Sequence, residues 1–209
     1  TIQWESENIP AIIEAWHRGI EAGSAIADVL FGDVNPSGKL TVSFPRNVGQ
    51  IPIYYNYKNT GRPLNPKDKY TSKYLDVANS PLYPFGFGLS YTTFLYSNLK
   101  VSSSTIKKDE PIKISVDVEN FGKQVGKEIV QLYLRDDVAS VTRPVKELKG
   151  FKKILLNPGE KKLVEFNIPF DQLSFYNLEM KKVVEPGTFT VFVGRNSVDC
   201  LEIKFDVAE

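Results

Sequence analysis

Between residues 112 and 205 apolar and polar residues alternate with a period of two. Ile112, Ile114, Val116 and Val118 are interleaved with Lys113, Ser115, Asp117 and Glu119. A β-strand sends successive side chains to opposite faces, so this spacing predicts a half-buried strand with one wet face. The pattern recurs at Val130, Leu132 and Leu134, at Val164, Phe166 and Ile168, at Phe189, Val191 and Val193, and at Leu201, Ile203 and Phe205. Turn signals separate the runs: Asn120-Phe121-Gly122, Asn157-Pro158-Gly159 and Glu185-Pro186-Gly187. Val116 and Val191 are expected to point inward, and Lys113 and Glu119 outward.

The first fifty residues follow a different pattern. Ala11-Ile12-Ile13-Glu14-Ala15-Trp16 is a short apolar run that predicts a buried strand. After a loop with Gly19 and Gly23, residues Ala22, Ala25, Ile26, Val29 and Leu30 recur at helical spacing and form one apolar stripe. Gly32 stands where a helix C-cap glycine belongs. A strand and a helix make half of a βαβ unit and are expected to belong to a larger sheet. Residues 51–90 are interrupted by Pro52, Pro63, Pro66, Pro81 and Pro84, which exclude continuous helix or central strand. Eight of the ten tyrosines lie in this stretch or just past it. Disordered tethers are poor in aromatics, so the stretch is expected to be pinned to a folded surface by its rings.

The fold class expected is therefore mainly β. Residues 91–209, with about seven short strands in ~120 residues, predict a β-sandwich of immunoglobulin or fibronectin type III kind. Residues 1–50 predict a short α/β piece, and 51–90 a Pro/Tyr-rich connector. There is no Cys…Trp…Cys framework of the antibody type.

Composition adds exclusions. Hydrophobic residues at 42% and charged residues at 24% are ordinary for a globular protein. A net charge of +1 gives no footprint for nucleic acid. No apolar run reaches the ~20 residues needed to span a bilayer. The chain starts at Thr1 without a visible signal peptide, as expected of a processed or truncated chain. The single cysteine, Cys200, sits in an alternating run and reads as a structural strand thiol. His17 is the sole histidine, so no zinc cluster is expected. Asp33, Asn35, Ser37 and Gly38 imitate positions 1, 3, 5 and 6 of a calcium loop, but position 12 is Phe44 where a bidentate glutamate is required. The segment reads instead as a turn in which Asp33 or Asn35 caps backbone groups. No cofactor and no metal are expected.

The order and spacing of several segments resemble the C-terminal third of a glycoside hydrolase family 3 enzyme of the bacterial periplasmic β-glucosidase type. They are Trp16, Gly19, Glu21 and Gly23; Leu30-Phe31-Gly32-Asp33 with Asn35-Pro36-Ser37-Gly38-Lys39-Leu40; Ser43-Phe44-Pro45; Gln50-Ile51-Pro52; Gly61-Arg62-Pro63; Lys69 through Asp76; Pro81 through Phe94; and Arg143 through Phe151. Arg18 and Ala22 depart from the family's usual proline and glycine. The resemblance implies that residues 1–50 are the last strand–helix part of an α/β sandwich domain and that 91–209 are a fibronectin type III-like domain. It also implies an upstream (β/α) barrel and α/β domain carrying the nucleophile and the acid/base of a retaining hydrolase of terminal β-linked glucosides, in the periplasm or outside the cell. Retention needs two carboxyl groups ~5 Å apart. No residue here matches either motif, so no catalytic residue is assigned and the chain alone is expected to be inactive.

Two residues remain as candidates for substrate contact at the pocket edge of the intact enzyme. Glu21 lies just after the expected strand and near a helix N-terminus, where ligands of open α/β sheets sit; the alternative is a first-turn glutamate favoured by the helix dipole. His17 is either a substrate contact or an ordinary loop residue. For the whole chain, a carbohydrate-binding or protein-interaction module and a bracing spacer are the other readings. The helical stripe is expected to find cover on the connector, on the sandwich or on a second copy of the chain.

Overall fold

A computed structural model describes residues 1–208. It is mainly β, with 35% strand and 11% helix. Two helices come first, α1 (Gln3–Asn8) and α2 (Ala22–Phe31). A long segment without regular strands follows. The strands are β1 (Phe94–Val101), β2 (Thr105–Ile106), β3 (Ile112–Asn120), β4 (Gly126–Asp136), β5 (Glu147–Leu156), β6 (Lys161–Ile168), β7 (Phe175–Tyr176), β8 (Lys182–Val183), β9 (Gly187–Gly194) and β10 (Cys200–Val207).

These strands form a sandwich. One sheet runs β1-β3-β6 and the other β2-β10-β9-β4-β5, with β7 and β8 paired on their own. Every pairing is antiparallel except that of β2 with β10. The period-two pattern sets the register: Ile114 lies opposite Phe166, Val116 opposite Val164, Leu132 opposite Val193 and Leu134 opposite Val191. All eight side chains face the space between the sheets and are buried. A one-residue slip of any strand would turn its apolar set to solvent, so the burial itself fixes the pairing. Phe189 and Phe205 stack across β9 and β10 with centroids 5.5 Å apart. Val116 and Val191 point inward as expected, Lys113 is exposed and Glu119 is half-exposed.

Alternation fails on β4, and the reason is tertiary. From Val130 to Leu134 both faces of the strand are buried. The second face carries Gln131 and Tyr133. It is covered by the connector, whose Tyr55 and Phe85 rings pack on Tyr133 at 5.7 and 6.5 Å. Tyr55 and Phe85 stack on each other at 4.3 Å.

The first region departs from expectation. Ala11 through Trp16 is irregular chain, not strand, and Ile12 and Ile13 are each 43% exposed. A strand satisfies its N–H and C=O groups on a neighbour, and among the described residues none pairs with this run. Helix α2 forms where the stripe places it. Gly32 ends it in the left-handed region (φ 85°), donating its N–H to the Val29 carbonyl at 3.2 Å. No residue of α2 is fully buried. Ala22, Ile26 and Val29 are half-covered, while Ala25 and Leu30 face solvent.

Candidate functional site

The two sequence candidates lie on the loop that leads into α2. Trp16 turns the chain with a positive φ of 47°, uncommon for a bulky residue. Its ring meets Phe44 edge-on at 6.3 Å, and its N–H donates to Glu14 Oε1 at 2.9 Å. His17 follows in a bend and Glu21 occupies the position before α2. Both side chains are exposed and neither makes a hydrogen bond among the described residues. Glu21 does not cap the helix through its side chain; its carbonyl accepts from the Ala25 N–H at 3.0 Å.

The Asn35–Leu40 turn is a junction. Asn35 Oδ1 accepts from Ser90 Oγ at 2.8 Å and from the Tyr91 N–H at 2.9 Å, and its Nδ2 donates to the Val125 carbonyl at 3.0 Å. Of the two residues expected to cap here, Asn35 does so. With its amide engaged three times, it is not free to serve a cation. Leu40 exchanges backbone bonds with the Pro84–Gly88 turn, at 2.7 Å to the Phe87 carbonyl and 2.8 Å from the Gly86 N–H. A side chain at Gly88 would strike the Gly38 carbonyl, and one at Gly86 (φ 80°) would strike the Gln131 amide. These glycines are required by close approach and, at Gly86, by the left-handed backbone.

At the centre of the junction Lys39 and Glu128 form a buried ion pair 3.2 Å apart, their side chains 9% and 3% exposed. Lys39 also donates to the Gly88 carbonyl at 3.1 Å, and Tyr96 OH donates to Glu128 Oε1 at 2.9 Å. Burial holds the Glu128 carboxyl above the usual carboxylate range, against the pull of Lys39 and the Tyr96 hydroxyl. Burial first, and the Glu128 charge second, push the Tyr96 hydroxyl far above its ordinary value. Alongside, Gln131 Nε2 donates to the Gly86 and Arg195 carbonyls at 3.1 and 2.7 Å. None of these residues was expected to form a site, although Lys39, Gly86 and Gly88 lie in the segments that carry the family resemblance. The usable signal was register: Glu128 shares the inward parity of Val130, Leu132 and Leu134, and a charge there implies a buried partner.

The tyrosine-rich stretch divides. Tyr55 and Tyr83 pack on neighbouring rings, and Tyr91 OH donates to the Val29 carbonyl at 2.6 Å. Tyr54, Tyr57, Tyr70 and Tyr74 are exposed instead; residues 56–70 are exposed throughout, though they touch the sandwich where the Tyr57 carbonyl accepts from the Val145 N–H at 2.9 Å and Lys58 bridges Pro144. The basic run Lys58, Arg62, Lys67, Lys69 and Lys73 is exposed as well. Cys200 is half-buried on β10, and burial pushes its thiol up to about 11, away from a nucleophilic thiolate. Among the described residues no group of three or more His, Cys, Asp or Glu is placed to hold a metal ion, and no helix is long and apolar enough to cross a membrane.

The sandwich and the glycine- and proline-marked helical segment before it, joined by the Lys39–Glu128 pair, correspond to two known domains. Residues 1–91 match the glycosyl hydrolase family 3 C-terminal domain, and residues 128–197 match the fibronectin type III-like domain. The chain carries the C-terminal domain of glycoside hydrolase family 3 followed by the fibronectin type III-like one. It is 55% identical over 205 residues to the periplasmic beta-glucosidase of Salmonella typhimurium, covering 97% of this chain and 27% of that protein. It is 50% identical over 201 residues to a beta-xylosidase of Formosa agariphila, covering 94% of this chain and 27% of that one. The crystal structure of a beta-glucosidase from Listeria innocua in complex with glucose superposes with a TM-score of 0.93 at 45% identity, over 100% of this chain and 29% of that one. The chain thus spans about a quarter of the length of the relatives it matches.

Proposed function

We propose that this chain is the C-terminal, non-catalytic part of a retaining β-glucosidase-type hydrolase of terminal β-linked glucosides, working in the periplasm or outside the cell. Its role is to brace the catalytic domains. The observation that carries this reading is the asymmetry of its surface. The sandwich completes its own core, whereas the first 34 residues leave Ile12, Ile13, Ile20, Leu30 and Phe31 between 43% and 99% exposed. Large apolar side chains left exposed in one short segment fit an interface. The upstream barrel and α/β domains of the same protein are the cover it fits. The Lys39–Glu128 pair and the Asn35 clamp then hold the sandwich rigidly to that interface. In this reading Glu21 and His17, solvent-facing on the loop before α2, stand at the edge of the sugar pocket. The 50% identity to a beta-xylosidase favours a second substrate, a terminal β-xyloside.

The test is an assay with aryl β-glucosides and β-xylosides on the protein that carries this chain with its upstream domains, on the same protein cut before Thr1, and on residues 1–209 alone. Turnover with retention, followed by NMR of the first-formed anomer, is expected only from the intact protein. Turnover by residues 1–209 alone, or undiminished turnover without them, overturns the reading.

A further inference from the structure

The two sheets of the sandwich end in strand edges, and those on one side are long. On the other side the edges are β1 and the two-residue β2. The pairing of β1 shifts register between Ser97 and Lys100, where Asn98 takes a positive φ of 54°. A bulge and a very short strand both spoil an edge for further pairing. The long edges are β5 and β6. β6 pairs with β3 without a break, and β5 runs in register with β4 from Gly150 to Leu156. Among the described residues no strand pairs with the outer side of either. Phe151 and Leu155 on β5 are 65% and 47% exposed, and Leu163 on β6 is 61% exposed. A long edge carrying exposed apolar side chains is a template for another strand.

Each of these edge strands breaks its own inward pattern with a lysine. On β5, Gly150, Lys152, Ile154 and Leu156 lie opposite Leu132, Val130, Glu128 and Gly126 and share their inward face. On β6, Lys162 lies opposite Val118 and shares the face of Val164 and Phe166. Both lysines are nevertheless exposed, because a long stem at an edge carries its ammonium out between the sheets. They cross the gap in opposite directions. Lys152 Nζ lies 5.7 Å from the ring centroid of Phe166 on β6, and Lys162 Nζ donates to the Leu155 carbonyl on β5 at 2.7 Å. A strand added here would shut both ammoniums away from water.

The partner that such an edge fits is a second copy of the chain. With two β5 strands antiparallel about a two-fold axis at Lys153, Phe151 would face the partner's Leu155 on the outer side. The same register sets Lys153 against the partner's Lys153, and like charges directly opposite repel.

We propose that the β5–β6 side is a strand edge complementary to a second copy of the chain and held closed to it by Lys152 and Lys162, with Lys153 opposing the matched register. The guard keeps the apolar Phe151 and Leu155 in solvent without self-association. It does not depend on the hydrolase reading.

The test uses residues 1–209 with Lys152→Val and Lys153→Thr together, followed by sedimentation equilibrium over a concentration series beside the parent chain. Self-association is expected to tighten by about tenfold or more, since covering Phe151 and Leu155 is worth at least that. Amides 151–155 are expected to gain hydrogen-exchange protection in the associated species. Lys152→Glu, which keeps a charge at the inward position, is expected to associate no more than the parent. Lys162→Val is expected to tighten association in the same direction, and gives the readout if the double variant fails to fold. Association unchanged in the variants that fold overturns the proposal. So does a Lys152→Glu chain that associates as tightly as the double variant, or new protection that falls outside β5 and β6. None of these readouts involves turnover, so failure here leaves the hydrolase reading untouched.

Discussion

The sandwich and the first 34 residues use the same kind of apolar side chain to opposite ends. Ile112 and Ile114 are fully buried, while Ile12 and Ile13 are 43% exposed and Ile20 is 99% exposed. The difference is not hydrophobicity but neighbours. On β3 each isoleucine has a partner strand on either side and a second sheet in front. The Ala11–Trp16 run has neither. Burial is a demand that a sequence makes and that only packed elements meet. That unmet demand is what the proposed bracing role rests on.

The largest effect expected is in the sandwich core. Ile114→Ala removes a fully buried side chain and is expected to lower unfolding free energy in urea by about 2–5 kcal/mol. Ile20→Asp, at the opposite extreme of exposure, is expected to stay within about 0.5 kcal/mol of the parent chain. Similar losses at the two sites would erase the contrast.

Next is the junction. Lys39→Met leaves Glu128 buried without its counter-charge and is expected to cost about 3 kcal/mol at pH 7. A carboxyl whose folded value is raised binds protons more tightly in the folded state. The penalty is therefore full above the raised value and fades as pH falls toward the ordinary one. Most of the loss should return in acid. A loss that does not change with pH would mean that the methionine strains the packing instead.

Smaller still is the gain the sandwich takes from the connector. A chain starting at Tyr91 is expected to melt cooperatively as a β protein, but at lower temperature than the full chain, because Tyr133 loses Tyr55 and Phe85. Equal melting temperatures would show that the covered face of β4 contributes nothing.

The smallest effect concerns Asp136 at the end of β4. Burial lifts its carboxyl from 3.8 to about 6, against the opposing charge of Arg143. The folded state therefore binds the proton more tightly, so stability falls as pH rises from about 4 to 6. Asp136→Asn should flatten the stability profile in that window. An unchanged slope would assign it to another group.

The order of the sandwich strands' apolar positions was legible because a strand's period of two does not depend on what lies across from it. The family segments were legible too, since Gly86 and Gly88 serve a local turn and close approach that permit no side chain. The burial of Gln131, the ion pair of Lys39 with Glu128 and the exposure of Tyr54, Tyr57 and Tyr70 were not. Lys39 and Glu128 are separated by 89 positions, and no local pattern links them.

The sequence by itself determined the inward face of each long strand, the helix at 22–31 and its glycine stop, and the family. Propensity, periodicity and capping act over a few residues and are written in order along the chain. Only the tertiary structure decided that the connector buries the second face of β4, that a charge pair sits inside the junction, and that Ala11–Trp16 stays irregular and exposed. Those outcomes depend on which distant surface arrives within a few ångströms, and desolvation and pairing are properties of that meeting rather than of either segment alone.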